Sequence, residues 1–179
     1  VALLRGSSQP AVFLTQRGGF YTKADLGESG GKALALAVAD ADQNGALDLT
    51  VLRPGGAIQS VSSDAQSGWK QSELVHWDQA PASGAARIVW AELDNNGALD
   101  LIASSSAGTT LWLGDEQLKL QPHSLKLDAQ VFAAEDLNDD GRLDLVGVSK
   151  DGRPTQLVNA GGKTYHWQGI RPRNASAKD

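Results

Sequence analysis

Short apolar runs, five to seven residues long, recur along the chain between clusters of Gly, Pro, Ser and Asn. Ile, Val, Leu and Trp dominate them, and their length and boundaries predict strands, not helices. Runs at 33–39, 86–91 and 130–134 each precede a polar, acidic stretch. Runs at 47–52, 99–103 and 143–148 each follow one, opening on Leu-Asp-Leu. Two further candidate strands complete each unit: 57–62 with 69–75, 109–113 with 118–125, and 155–159 with 164–170. Segments 1–5, 11–15 and 20–26 fit the second, third and fourth places of one more unit. Four short strands per repeat of about 45 residues is the pattern of a β-propeller blade. The predicted fold is therefore all-β: a β-propeller or propeller segment of three full four-stranded blades plus a partial first blade. The blades fall at 1–27 (partial), 33–75, 86–125 and 129–171, with a tail at 172–179. The missing innermost strand of the first unit, and the absence of any Met, predict a piece of a longer polypeptide.

The acidic stretches repeat one another. Asp40-Ala41-Asp42-Gln43-Asn44-Gly45-Ala46-Leu47-Asp48 is the first, Glu92-Leu93-Asp94-Asn95-Asn96-Gly97-Ala98-Leu99-Asp100 the second, and Asp136-Leu137-Asn138-Asp139-Asp140-Gly141-Arg142-Leu143-Asp144 the third. Their first acids lie 52 and 44 residues apart. Side-chain oxygens stand at loop positions 1, 3, 5 and 9, with Gly at 6. A short loop wraps a hard cation in this way, because alternate residues turn oxygens inward and the Gly permits the sharp turn. The candidate ligands are Asp40, Asp42, Asn44 and Asp48; Glu92, Asp94, Asn96 and Asp100; and Asp136, Asn138, Asp140 and Asp144. The main-chain carbonyl at position 7 adds Ala46, Ala98 and Arg142, whose side chains are immaterial there. None of the side-chain ligands is His or Cys, which disfavours zinc and copper. Mg²⁺ demands a tight octahedron and retains its waters, so these flexible loops favour Ca²⁺, up to three ions. An EF-hand is excluded: it needs Glu at position 12, where Val51, Ala103 and Gly147 stand, and flanking helices. The competing reading is a plain hairpin turn capped by its own side chains. A plain turn needs no acid at position 9, and all three loops have one.

Composition adds bounds. A chain of 179 residues can bury about 70% of its unfolded surface, enough for a core. Net charge is −5, but nine of the 21 acids are the proposed ligands, so the acidity is largely a metal-binding charge. No Lys/Arg cluster stands out, which argues against nucleic-acid binding. No apolar run approaches the roughly 20 residues of a membrane span, and no signal peptide is visible. There are no cysteines, hence no disulfide and no thiolate site.

Enzyme motifs are weak. Gly27-Glu28-Ser29-Gly30-Gly31 matches a nucleophile elbow, but the elbow needs a helix directly after it, and a strand is predicted there. Gly162-Lys163-Thr164 lacks the first Gly of a phosphate loop, since position 157 is Leu157. His76, His123 and His166 have no repeated acid beside them. The chain is expected to be non-catalytic. His76-Trp77-Asp78-Gln79 falls in a connection between blades, on the same propeller face as Arg53-Pro54-Gly55-Gly56. That is the face opposite the acidic loops, where ligands usually dock, so Arg53, His76 and Trp77 are candidate ligand-binding residues.

Asp-x-Asp-x-Asn-Gly-x-x-Asp-Leu at blade spacing resembles the FG-GAP/VCBS repeat, the calcium-loop propeller repeat of integrin α-subunit heads. The resemblance spans residues 1 to about 165. The Phe-Gly/Gly-Ala-Pro element is degraded to Gly18-Gly19-Phe20 and Ala80-Pro81-Ala82-Ser83-Gly84, which favours the bacterial VCBS-like branch. The tail 165–176 resembles the opening of the ASPIC/UnbV segment of large secreted bacterial proteins. The resemblance implies an extracellular or periplasmic setting, Ca²⁺ for stability, and adhesion, recognition or scaffolding with a protein or glycan as ligand. The alternative it leaves open is the accessory propeller of a secreted enzyme (lyase, lipase or other hydrolase) whose catalytic residues lie elsewhere. The partial blade is expected to associate with another copy or with the rest of its parent chain.

Overall fold

A computed structural model of the chain describes residues 2–3, 9–15, 17–64, 68–82 and 85–161. Among these residues the protein is all-β, built from antiparallel sheets, with one 3₁₀ turn at Gly27–Gly30. At the start, β1 (Ala2–Leu3) pairs with β2 (Pro10–Ala11), and β3 (Phe13–Thr15) pairs with β4 (Tyr21–Lys23). A four-stranded meander follows: β5 (Ala35–Ala39), β6 (Asp48–Leu52), β7 (Ala57–Asp64) and β8 (Gly68–His76). A second repeats its order: β9 (Ala86–Ala91), β10 (Asp100–Ser105), β11 (Gly108–Gly114) and β12 (Leu120–Leu127). The third sheet has β13 (Ala129–Glu135), β14 (Asp144–Ser149) and β15 (Pro154–Leu157) among the described residues. The strand expected at 164–170 and the tail at 172–179 lie outside them.

Burial explains why these segments are strands. All of β6 and all of β10 are buried, whereas β8 and β12 are largely exposed. The second strand of each four-stranded sheet is thus covered on both faces and reads as a continuous apolar run, and the fourth is a solvated edge. Side chains alternate between two layers, as the period of a strand requires. On β6, Leu49 and Val51 join Val12, Leu26, Ala33 and Val61 in one core, while Leu52 turns to the next sheet. On β10, Leu101 and Ala103 face back to Leu52, Ile58 and Trp77, while Ile102 faces forward to Val131 and Leu145. The sheets are therefore stacked face to face in chain order, with a hydrophobic layer between each pair. Their first strands follow the same order, β5 against β9 and β9 against β13.

Polar groups within these layers are satisfied across them. Trp77 Nε1 donates to Thr110 Oγ1 at 2.9 Å, and Trp90 Nε1 to Thr50 Oγ1 at 2.9 Å. A buried tryptophan fills the gap between sheets only when its N–H finds such a partner. Ser104 Oγ accepts from Val131 N at 2.7 Å, and Thr109 Oγ1 donates to Ala129 O at 2.6 Å, tying β10 and β11 to β13. The expected strand 11–15 is divided at Val12, a buried residue whose carbonyl accepts from Ala24 N at 2.8 Å. That bond lets the chain pass from pairing with β1 to pairing with β4.

Candidate metal centre

Each acidic loop joins the first strand of a sheet to the second: β5 to β6, β9 to β10 and β13 to β14. The second strands hold the ends of the loops in register: β6 and β10 are buried throughout, and β14 is buried at Asp144, Leu145 and Gly147. The first acid closes each turn on the same two amides. Asp40 accepts from Asn44 N at 3.0 Å and Gly45 N at 2.9 Å, and Asp136 from Asp140 N at 3.1 Å and Gly141 N at 2.9 Å. Glu92 reaches the equivalent pair, Asn96 N at 3.2 Å and Gly97 N, so its longer stem folds to the same place. The oxygen at position 5 accepts from the amide at position 7: Asn44 from Ala46 and Asn96 from Ala98, both at 2.7 Å, and Asp140 from Arg142 at 2.9 Å. Position 6 is left-handed in every loop, with φ of 86°, 91° and 82° for Gly45, Gly97 and Gly141, as a sharp turn requires. Position 4 is left-handed too, although it is Gln43, Asn95 and Asp139, with φ of 55°, 56° and 58°. At Gln43 such a conformation costs about 1–2 kcal/mol, whereas the short polar side chains of Asn95 and Asp139 suit it.

The ninth-position acids are buried, at 4% exposure for Asp48 and 0% for Asp100 and Asp144. Asp100 and Asp144 tie the loop mouth to the end of the third strand. Asp100 accepts from Leu93 N at 2.7 Å and Gly114 N at 2.8 Å. Asp144 accepts from Asn159 N and from Gln156 Nε2, both at 2.8 Å. Their electrostatics diverge. Burial, and then the charges of Asp94 and Glu92, push Asp100 up to about 6 against the two amide bonds that lower it. Burial also raises Asp48, with Asp42 and Asp40 adding to the effect. Asp144 is lowered, first by the Asn159 amide, with Gln156, Leu137 and the Arg142 charge assisting.

Among the described residues, Glu92, Asp94 and Asp100 are the acids that converge: one oxygen from each lies within 4.8 Å of the others. The acids of the first and third loops do not gather as closely. In the third loop, Arg142 NH2 stands 3.0 Å from Asp140 Oδ2 and neutralises part of its charge. The second loop fits a divalent cation best. Its donors are all oxygens, which select a hard ion. It also holds a buried carboxylate whose charged form is disfavoured by desolvation and by two neighbouring acids, and a cation there reverses that penalty.

The residues expected to read a ligand on the opposite face are placed differently. Trp77 is 1% exposed and belongs to the core between the two four-stranded sheets. Arg53 is spent on the chain itself: Nη1 donates to Gly31 O at 2.5 Å, Nη2 to Ser29 O at 2.7 Å and Nε to Gln59 Oε1 at 2.8 Å. Burial lowers its guanidinium from the ordinary value. His76 is half exposed, 3.9 Å from both Glu73 and Asp78. Ser29 is buried in the 3₁₀ turn, and β5, not a helix, follows it.

Three contributors to the loops carry no sequence signal. Gln43 Nε2 donates to Gly97 O at 2.6 Å, and Asn95 Nδ2 to Gly141 O at 3.1 Å, so each loop touches the next. Asn159 Nδ2 donates to Leu93 O at 2.7 Å, a second link between the second and third loops. No helix among the described residues is long and apolar enough to cross a membrane. No family model matches the chain, and no curated protein matches it.

Proposed function

We propose that this chain is a non-catalytic, Ca²⁺-stabilised β-propeller segment of the FG-GAP/VCBS type, acting outside the cytoplasm in recognition, adhesion or scaffolding. The observation that carries the reading is the convergence of Glu92, Asp94 and Asp100 within 4.8 Å at the mouth of a fully buried strand. The repeated pair of four-stranded meanders, stacked in chain order, supports the propeller architecture. The ion's role in this reading is structural. It offsets the repulsion of three acids and fixes the loop that joins the first two strands of a blade. The ligand is a protein or a glycan, held by loops on the face away from the ions.

Thermal melting tests the ion reading. Ca²⁺ at a hundredfold excess over its dissociation constant adds about 2.7 kcal/mol per site. Chelator is expected to lower the melting temperature, Ca²⁺ to restore it, and Mg²⁺ to restore it poorly. A melting curve that excess chelator leaves unchanged overturns the reading.

A further inference from the structure

We propose that the three loops are coupled in sequence, the fourth-position amides of the first and second loops each holding the next loop in its ion-binding shape. The inference rests on the reading of the loops as cation sites and deepens it. Gln43 Nε2 donates to Gly97 O at 2.6 Å, and Asn95 Nδ2 donates to Gly141 O at 3.1 Å. The same donor position thus grips the same acceptor position one loop further on. Neither bond is local: 54 and 46 residues separate the partners.

The accepting carbonyl belongs to a peptide unit whose own N–H supports a proposed ligand. Ala98 N donates to Asn96 Oδ1 at 2.7 Å, and Arg142 N to Asp140 Oδ1 at 2.9 Å. A bond received at the carbonyl polarises the peptide and strengthens its N–H as a donor. The side chain of Gln43 therefore reaches, through one peptide, the fifth-position oxygen of the second loop. Asn95 does the same for the third.

The donors also depend on their own loops. Gln43 lies between Asp42 and Asn44, and Asn95 between Asp94 and Asn96, the third- and fifth-position ligands. An ion bound by those neighbours pins the residue between them in its left-handed backbone, φ 55° and 56°. Only from that backbone is the side chain aimed at the next loop. Without the ion, repulsion among the acids loosens the loop, its backbone is free to leave that conformation, and the amide leaves the neighbouring carbonyl. Occupancy of one loop therefore raises the affinity of the next, and by linkage the reverse holds. At the third loop the fourth residue is Asp139, whose side chain has no N–H to pass on.

The test follows the amide signals of Gly45, Gly97 and Gly141 by NMR, one reporter per loop, as CaCl₂ is added to the full chain. Asp42→Ala disables the first loop at an exposed ligand. Gln43→Gly keeps the left-handed backbone and removes the donor. Gln43→Glu keeps the stem and presents no N–H. Each is expected to raise the Ca²⁺ concentration that half-saturates the Gly97 signal by about fivefold. Asp42→Ala combined with Gln43→Gly is expected to do no more than either alone, as two lesions in one pathway must. A Gly97 titration that none of these substitutions alters, or effects that multiply in the double variant, overturns the coupling and leaves the ion reading standing. No Ca²⁺-dependent shift at any of the three glycines in the unaltered chain overturns both.

Discussion

Asp48, Asp100 and Asp144 hold the same loop position and are all buried, yet their surroundings treat their charge differently. Asp100 is raised to about 6, with desolvation as the largest cause. Its protonated form is the better tolerated one in the fold, so the folded chain binds that proton more tightly than the unfolded chain does. The stability it contributes is full below its ordinary value of 3.8 and is lost as pH rises through about 6. Asp48 acts in the same direction. Asp144, held low by the Asn159 amide, acts in the opposite one: its contribution is present above the ordinary carboxylate range and is lost as pH falls through its lowered value. Urea midpoints of the metal-free chain, measured in chelator, are expected to carry a component that declines from pH 3.8 to beyond about 6. Asp100→Asn should flatten that component, while lowering stability throughout because its one carbonyl oxygen replaces only one of the two that accept from Leu93 and Gly114. A pH profile that Asp100→Asn leaves unaltered contradicts this assignment.

At the scale of strands and loops, most of the architecture was legible because burial and pattern coincide. The second strands are buried on both faces in the two four-stranded sheets and in part in the third, and their apolar runs mark them within a residue or two of Asp48–Leu52, Asp100–Ser105 and Asp144–Ser149. The acidic loops were equally visible, since their oxygen-bearing residues stand at a fixed spacing. What was not legible depends on the backbone of a distant segment. The division of 11–15 at Val12 follows from a carbonyl, and carbonyls leave no trace in the residue letters. The links made by Gln43, Asn95 and Asn159 end on carbonyls too. Trp77 read as a candidate ligand-binding residue because it falls in a connection between blades. It enters the core because Gly56, with no side chain, lets its backbone approach: Trp77 N donates to Gly56 O at 2.8 Å. A Cβ on Gly56 would fall 2.5 Å from Trp77 O. A similar approach occurs in the third sheet, where the β13–β14 register shifts between Val131 and Ala133. There a Cβ on Gly147 would fall 2.2 Å from Gln130 O, a backbone atom that cannot swing aside. Gly147→Ala is expected to destabilise the chain by about 1–3 kcal/mol, read as a lower urea midpoint. A midpoint equal to that of the unaltered chain would mean that the close approach is absent in solution.

At the scale of the whole molecule, the stacked sheets cover one another unequally. The layers on either side of β10 are continuous, but the first hairpin is thin. Every residue of β3 and β4 is exposed, and the hairpin carries Phe13 at 44%, Leu14 at 46%, Phe20 at 74% and Tyr21 at 69% exposure. A two-stranded hairpin is marginal in water, and this one shows apolar side chains together with unpaired strand edges. Grouped apolar exposure of this kind marks a surface that another chain covers. The isolated chain is therefore expected to self-associate through residues 13–23. Light scattering should show a mass that rises with concentration, and amide exchange over 13–23 should slow as it rises. Phe20→Asp, which places a charge on the most exposed of the four, should shift the chain toward monomer while leaving the thermal transition of the two four-stranded sheets in place. Were the chain monomeric at every concentration, with strong protection over 13–23, the hairpin would be covered from within, and the exposed face inferred from β3 and β4 would be wrong.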